Sequence, residues 1–210
     1  MKVFIVHAHP EPNSFNGALT KHAKTVLERN GSEVEVSDLY AMNFNPVTSR
    51  KNFVTTKDPD YFKQQLEEVY AAEHDGFAPD IKAEMEKLLW CDCLIFQFPL
   101  HWFSVPAILK GWVDRVFAMG FAYGRGDFRN GALRGKKAMI SLTASFNQPV
   151  EFILYHVEVG MFTFCGLDVL PHFFVPAPAR ISPKERHRYL EQYEVRLLTL
   201  AETKPKSLVL

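Results

Sequence analysis

The chain has 210 residues, 47% of them apolar and 23% charged, enough to bury a large core in one domain spanning 1–210. Lys plus Arg is 24 and Asp plus Glu is 24, so nothing in the charge balance invites a nucleic acid or an anionic membrane surface. No apolar run approaches the roughly 18 residues of a membrane span and no leader pattern precedes the first strand, while Cys91, Cys93 and Cys165 form no C-x-x-C. The expectation is a cytoplasmic protein with buried thiols, no nucleic-acid partner and no integral membrane segment.

Lys2 to Val6 is a short apolar run of the kind that forms a strand covered on both faces, and it leads into His7-Ala8-His9-Pro10-Glu11-Pro12-Asn13-Ser14-Phe15-Asn16. A helix follows. Phe15, Leu19, Ala23, Val26 and Leu27 make its buried stripe, Asn13 or Ser14 suits the N-cap and Gly31 the C′ position. A strand, a polar turn and a helix N-terminus together favour an anion, because the free N–H groups and the helix dipole point at it. Neither G-x-G-x-x-G nor Walker A is present in this turn, so Asn13, Ser14 and Asn16 stand as the phosphate donors instead. His7 and His9 have no partner cluster with metal-ligand spacing. His9 reads as a hydrogen-bonding group beside the phosphate, and His7 as a satisfied strand-end histidine.

Glu33 to Ser37 reads as the second strand, followed by a polar excursion over Asp38 to Asp92 that is far longer than a usual crossover. It contains helix-like segments at Asp60 to Glu73 and Asp80 to Leu89. The third strand, Cys93 to Phe98, ends at Pro99. Leu100-His101-Trp102-Phe103-Ser104 then forms a turn able to offer backbone N–H groups and flat apolar faces to a planar heterocycle, or merely to pack. Beyond it, Ile108, Leu109, Trp112, Val113, Val116 and Phe117 fall on one helical stripe, with Lys110, Asp114 and Arg115 opposite. Lys136 to Thr143 reads as a strand, Glu151 to Phe164 as a helix ending at Gly166, and Asp168 to Val175 as the last strand. Ser182, Pro183 and Glu185 form a capping box with proline at the first helical position, and Lys204-Pro205-Lys206 breaks the final helix.

This alternation predicts an α/β fold: a doubly wound, five-stranded parallel sheet of order 2-1-3-4-5, with the long excursion between strands two and three. The loops after strands one, three and four then meet. The first would take a phosphate, and Pro99 to Phe103 with Thr143-Ala144-Ser145 would take a planar ring.

Long stretches resemble the NAD(P)H:quinone oxidoreductases of the DT-diaphorase type, which have a flavodoxin-like fold. They include Ser14-Phe15-Asn16, Ser37 through Pro46, Ser49-Arg50-Lys51, Pro79-Asp80-Ile81, Ile95 through Gly111, Phe121-Ala122-Tyr123 and Phe164-Cys165-Gly166. The resemblance implies FAD, with FMN left open, a homodimer, and ping-pong two-electron reduction of quinones by NADH or NADPH. By position, His9, Phe15 and Asn16 match residues holding the pyrophosphate and adenylate side, with Ser14 in the same motif. Leu100, Trp102 and Phe103, after Pro99, match the wall of the isoalloxazine ring. Thr143, Ala144 and Ser145 occupy the place of the family's Thr-Thr-Gly-Gly loop, and Tyr123 matches a tyrosine offered across the dimer to the substrate. Arg125 replaces a second such tyrosine. His101 stands where the family has glutamine, as a local proton source or as a solvated side chain. The segment from Phe146 to Ile153 is shorter than the family's and lacks the tyrosine and histidine that stabilise the reduced flavin, leaving the amides of Thr143 to Ser145 and His101 for that task. Two other readings stay open, a flavin-binding regulatory subunit of a potassium-efflux system and an azoreductase.

Overall fold

The computed structural model describes residues 1–124 and 133–208. Its centre is a parallel sheet built from β1 (Lys2–His7), β2 (Glu33–Asp38), β3 (Cys93–Pro99), β4 (Lys137–Ala144), β5 (Asp168–Val169) and β6 (Phe173–Pro176). Six strands pair in the order β2-β1-β3-β4-β5, with β6 also on β4. The expected order holds. The expected fifth strand is split, however. Lys137 pairs with Asp168, yet Ser141 pairs with Phe173, so the register slips by one residue across Leu170-Pro171-His172. Pro171 has no N–H for the ladder, and the extra residue is absorbed there.

Apolar side chains alternate to both faces of β1, β3 and β4, so two clusters form. One packs Val3, Ile5, Cys93, Ile95 and Met139 under α1 (Phe15–Arg29) and α6 (Pro183–Leu198). The other packs Phe4, Phe96, Phe98 and Ile140 under α3 (Pro79–Trp90), α4 (Ala107–Val116) and α5 (Glu151–Val157). All three cysteines are free and buried, as expected. Burial pushes the Cys91 thiol up to about 11 and that of Cys165 to about 12, which keeps both protonated and inert.

The long excursion folds onto α4. It carries α2 (Gln64–His74) and α3, close to the helical segments expected there. Glu84 of α3 is fully buried, accepting from Trp112 Nε1 at 2.8 Å, Ser37 Oγ at 2.9 Å and Lys87 Nζ at 2.7 Å. The excursion also corrects the assignment of Arg115 to the solvent face. Arg115 is only 3% exposed, because its Nε donates to Asn52 Oδ1, its NH1 to the Asn45 carbonyl, and its guanidinium lies 5.0 Å from the Phe44 ring centroid. Asp80 completes the set at 2.9 Å. The helix after residue 150 also departs from expectation. It is α-helical only to Val157, then widens into a π turn over Glu158–Phe162 and tightens through Thr163–Cys165 before Gly166 stops it at a φ of 88°. Glu158 is buried on that turn. Burial pushes its carboxyl up, but His172 and Lys206 outweigh that and hold it below the ordinary carboxylate range.

Candidate functional site

The carboxyl ends of β1, β3 and β4 lie level, since His7 pairs with Gln97 and Pro99 with Thr143. The loops that leave them converge. A side-chain chain ties the three together: Gln97 Nε2 donates to Asn16 Oδ1 at 2.9 Å, and Asn16 Nδ2 donates to Thr143 Oγ1 at 2.9 Å. Asn16 is 3% exposed and uses both ends of its amide in this way, so its side chain fixes the loops rather than standing free as a phosphate donor.

The end of the site at α1 is built by the backbone. Of the two N-cap candidates, Ser14 caps α1, accepting from the Gly17 N–H at 3.1 Å, and Ala18 N bonds the Ser14 carbonyl. Phe15 and Asn16 are thereby left with helix-end N–H groups that no described residue accepts. Gly17 is required here, since a Cβ would sit 2.3 Å from the Pro12 carbonyl oxygen. His9 Nδ1 lies 3.0 Å from the Glu11 nitrogen and 3.1 Å from the Glu11 carbonyl oxygen, which holds the ring against the loop backbone. His7 is satisfied as expected, pairing with Thr20 Oγ1 at 2.8 Å, and it is buried. Burial lowers its pKa, against an opposing pull from Asp38. A cavity of about 550 Å³ opens at this end, lined by His9, Ser14, Phe15, Asn16, Thr143 and Arg186 among others.

The loop after β3 is a strained turn. His101 and Ser104 exchange two backbone hydrogen bonds, 3.0 and 2.9 Å, so Trp102 and Phe103 form the centre of a tight two-residue turn. Both take left-handed backbone conformations, φ 48° and 56°. Such a turn normally requires Asn or Gly, and bulky side chains there cost on the order of 1–2 kcal/mol each. The N–H groups of Trp102 and Phe103 have no acceptor among the described residues, and Trp102 is 98% exposed. Backbone strain of this kind clusters at active sites and ligand clamps. His156, which the sequence reading passed over, pins the turn: its Nδ1 meets the Ile153 carbonyl at 2.8 Å and its Nε2 meets Ser104 Oγ at 3.0 Å.

A second cavity, about 370 Å³, is lined by Leu100, His101, Ala144, Ser145 and the segment 177–180, and shares Pro99, Thr143, Pro178 and Ala179 with the first. The two form one groove. Among the described residues no carboxylate lines either part, whereas Arg186, Arg180 and two histidines do. Tyr123 lines neither; its ring packs 5.2 Å from Phe164 and its hydroxyl receives a 3.5 Å bond from Gln65. Arg125 lies outside the described residues.

The family model for the flavodoxin-like fold matches residues 1–197. A human ribosyldihydronicotinamide dehydrogenase [quinone] is 40% identical over 97% of this chain and 94% of its own length. The NAD(P)H dehydrogenase [quinone] 1 of Rattus norvegicus is 39% identical over 97% of this chain and 79% of its own. The chain belongs to the NAD(P)H:quinone oxidoreductase family. A solved Klebsiella pneumoniae chain superposes with a TM-score of 0.93 at 38% identity, covering 98% of this chain and 86% of that one. Membership bears out the resemblance and the flavodoxin-like sheet order. Two parts of the groove were not legible beforehand in this member of the family, the wall at 177–180 and Arg186. Arg186 NH1 donates to the carbonyls of Pro178 at 3.0 Å and Ile181 at 2.8 Å, holding that wall in place.

Proposed function

We propose that the protein is a flavin-dependent quinone reductase in which the groove holds FAD, with its phosphates at α1 and its isoalloxazine ring at the Trp102–Phe103 turn. The observation that carries the reading is the turn itself. Two aromatic residues sit in a backbone conformation that disfavours them, and what the strain achieves is to aim two unpaired N–H groups and two flat faces outward. A flavin bound there would accept hydride from a dihydronicotinamide and return it to a quinone.

The residues divide the work by chemistry. The free N–H groups of Phe15 and Asn16, at the positive end of a 15-residue helix, suit a phosphate. His9 adds an imidazole to the lining of this end. Donors from Trp102 and Phe103 fixed before the reaction stabilise charge as it develops on a ring edge without reorganising. Trp102 covers the ring from water. Thr143 to Ser145 close the opposite side, with Thr143 fixed by Asn16 and Leu100 N bonded to the Thr143 carbonyl at 2.7 Å. His101 is exposed beside the turn and supplies a protonatable group at its mouth. The cavity at the α1 end, about 550 Å³, is much larger than one phosphate fills and supports the dinucleotide form of the cofactor.

Phe152, on α5, is large, apolar and 94% exposed, which supports a homodimer whose partner covers it and brings its own Tyr123 to the acceptor. The acceptor is a quinone, and the donor NADH, NADPH or a smaller dihydronicotinamide. Chromatography of the flavin released on denaturation tests the cofactor. FAD is expected, FMN alone would overturn that part, and a colourless protein that cannot be reconstituted would overturn the reading. Steady-state quinone turnover by the isolated protein separates it from a regulatory subunit, in which reduction would occur without turnover.

A further inference from the structure

Arg180 lines the ring-end cavity with Leu100, His101, Thr143 and Ser145, but does not line the α1-end cavity. Arg186 is the reverse. The two arginines therefore stand at opposite ends of one groove.

Their side chains are committed differently. Arg186 spends NH1 on the carbonyls of Pro178 and Ile181, a structural clamp. The Arg180 guanidinium has no hydrogen-bond or ion-pair partner among the described residues, and no carboxylate lines the cavity it borders. A cation left unneutralised beside a cavity raises the local potential, and an anionic ligand would gain from it.

The backbone that carries Arg180 is held from both sides. Ala177 N donates to the Ala144 carbonyl at 2.7 Å, tying the end of β6 to the end of β4. Arg180 N then closes a turn on the Ala177 carbonyl at 2.8 Å, with Ala177 itself at a φ of 43°. Non-glycine residues avoid that region, so the surrounding bonds enforce the turn. Arg180 is thus placed by strained, over-determined backbone next to the same Thr143-Ala144-Ser145 segment that borders the ring.

Hydride transfer moves two electrons and one proton together. Fl + NAD(P)H gives FlH⁻ + NAD(P)⁺, so the ring system gains one negative charge and the nicotinamide becomes cationic. Charge that appears only in the reduced form is stabilised selectively by a nearby cation, which raises the reduction potential while leaving affinity for the neutral oxidised ring almost unchanged. We propose that Arg180 supplies the positive charge that stabilises the reduced, anionic flavin in this protein. The proposal rests on the flavin reading above. It makes the ring-end arginine a charge-stabilising residue for the reaction, separate from the phosphate anchor at α1.

The same guanidinium could instead meet a phosphate of the flavin or of a nicotinamide dinucleotide, and the experiment distinguishes these sources. Wild type, Arg180→Gln and Arg180→Lys are stripped of flavin and titrated anaerobically with oxidised and with chemically reduced FAD, and the midpoint potential of each reconstituted protein is measured. For Arg180→Gln the affinity for oxidised flavin should stay within about threefold of wild type, while that for reduced flavin falls about tenfold further. A tenfold differential lowers a two-electron potential by about 30 mV. Arg180→Lys, which keeps the charge, should recover most of it. Equal weakening of both oxidation states would overturn the proposal in favour of a phosphate anchor. An unchanged potential with a raised KM for NADPH relative to NADH would overturn it in favour of the donor's phosphate. Unchanged values throughout would overturn it outright. Failure of the wild type to bind flavin would be seen before any variant is compared, and would mark the failure of the flavin reading itself.

Discussion

Trp102 offers a direct test of whether the strained turn is there for the ligand or for the fold. In the folded chain its side chain is 98% exposed, so truncation to Ala removes almost no buried surface, and Ala keeps the disfavoured φ of 48°. Trp102→Ala should leave the stability of flavin-free protein within about 0.5 kcal/mol of wild type, the usual range for an exposed site. Trp102→Gly should differ. Glycine removes about 1–2 kcal/mol of left-handed strain and adds back roughly 0.5–1 kcal/mol through the greater freedom of the unfolded chain. The net is a gain near 0.5–1 kcal/mol, a rise in Tm of about 1–4 °C for a chain of this size. Both variants should lose flavin affinity, because the aromatic face against the ring is gone, and truncating a large aromatic contact costs on the order of 3 kcal/mol. Thermal melts of stripped protein and flavin titrations give the two quantities separately. A stripped Trp102→Ala protein destabilised by about 3 kcal/mol would show that Trp102 is covered by protein rather than by ligand. Wild-type flavin affinity in either variant would sink the assignment of the turn as a ring wall.

Asn16→Ala should destabilise the fold by about 2–4 kcal/mol, since it leaves Gln97 Nε2 and Thr143 Oγ1 without partners in the interior; denaturant midpoints measure it, and a loss under 1 kcal/mol would show water replacing the amide. Glu84→Ala leaves Trp112 Nε1 without an acceptor and takes the counter-charge from Lys87, which keeps only its 2.9 Å bond to Ser37 Oγ, and a loss of roughly 3–5 kcal/mol is expected from chemical denaturation. For His7, burial holds the folded-state pKa below the ordinary 6.5, so the folded state binds the proton less readily than the unfolded one. Its contribution is intact above about pH 6.5 and is lost as pH falls from there toward the lowered value. His7→Gln should therefore show a flatter fall in stability than wild type between about pH 7 and 5, and parallel curves would refute the burial argument. Tyr123→Ala should raise the KM for the quinone while leaving flavin content unchanged, if the partner's copy of this residue reaches the acceptor.

Legibility in the sequence followed the strength of the local signal. β1, β3 and β4 were readable because both faces are buried, which leaves continuous apolar runs such as Cys93 to Phe98, and α1 was readable because its stripe, cap and terminal glycine agree. Arg115 was misplaced because helical periodicity describes one face of α4 against the sheet and says nothing of a second layer. The excursion that supplies Asn45, Asn52 and Asp80 is distant in sequence and covers the other face. β5 and β6 read as one strand because a single proline looks like punctuation at an edge, while the one-residue slip around it is visible only in the pairing with β4.

The site divides along the same line. The loops that gather at the candidate site were legible from their position after strands: Ser14 to Asn16 after β1, and Trp102 and Phe103 after β3. The role of Asn16 was read from its chemistry, a free amide beside a helix end, and the structure reassigns it, because an amide with both ends satisfied in the interior is a tie between loops. The third wall had no signal at all. Ala177-Pro178-Ala179 contains no reactive group, and Arg180 and Arg186 look like two more charges near a helix start until the turn on Ala177 and the clamp on Pro178 place one at each end of the groove. On the proposal for Arg180, a cation carried by the loop after β6 borders the same cavity as Thr143 to Ser145, so the charge of the site would be set across two loops rather than within one.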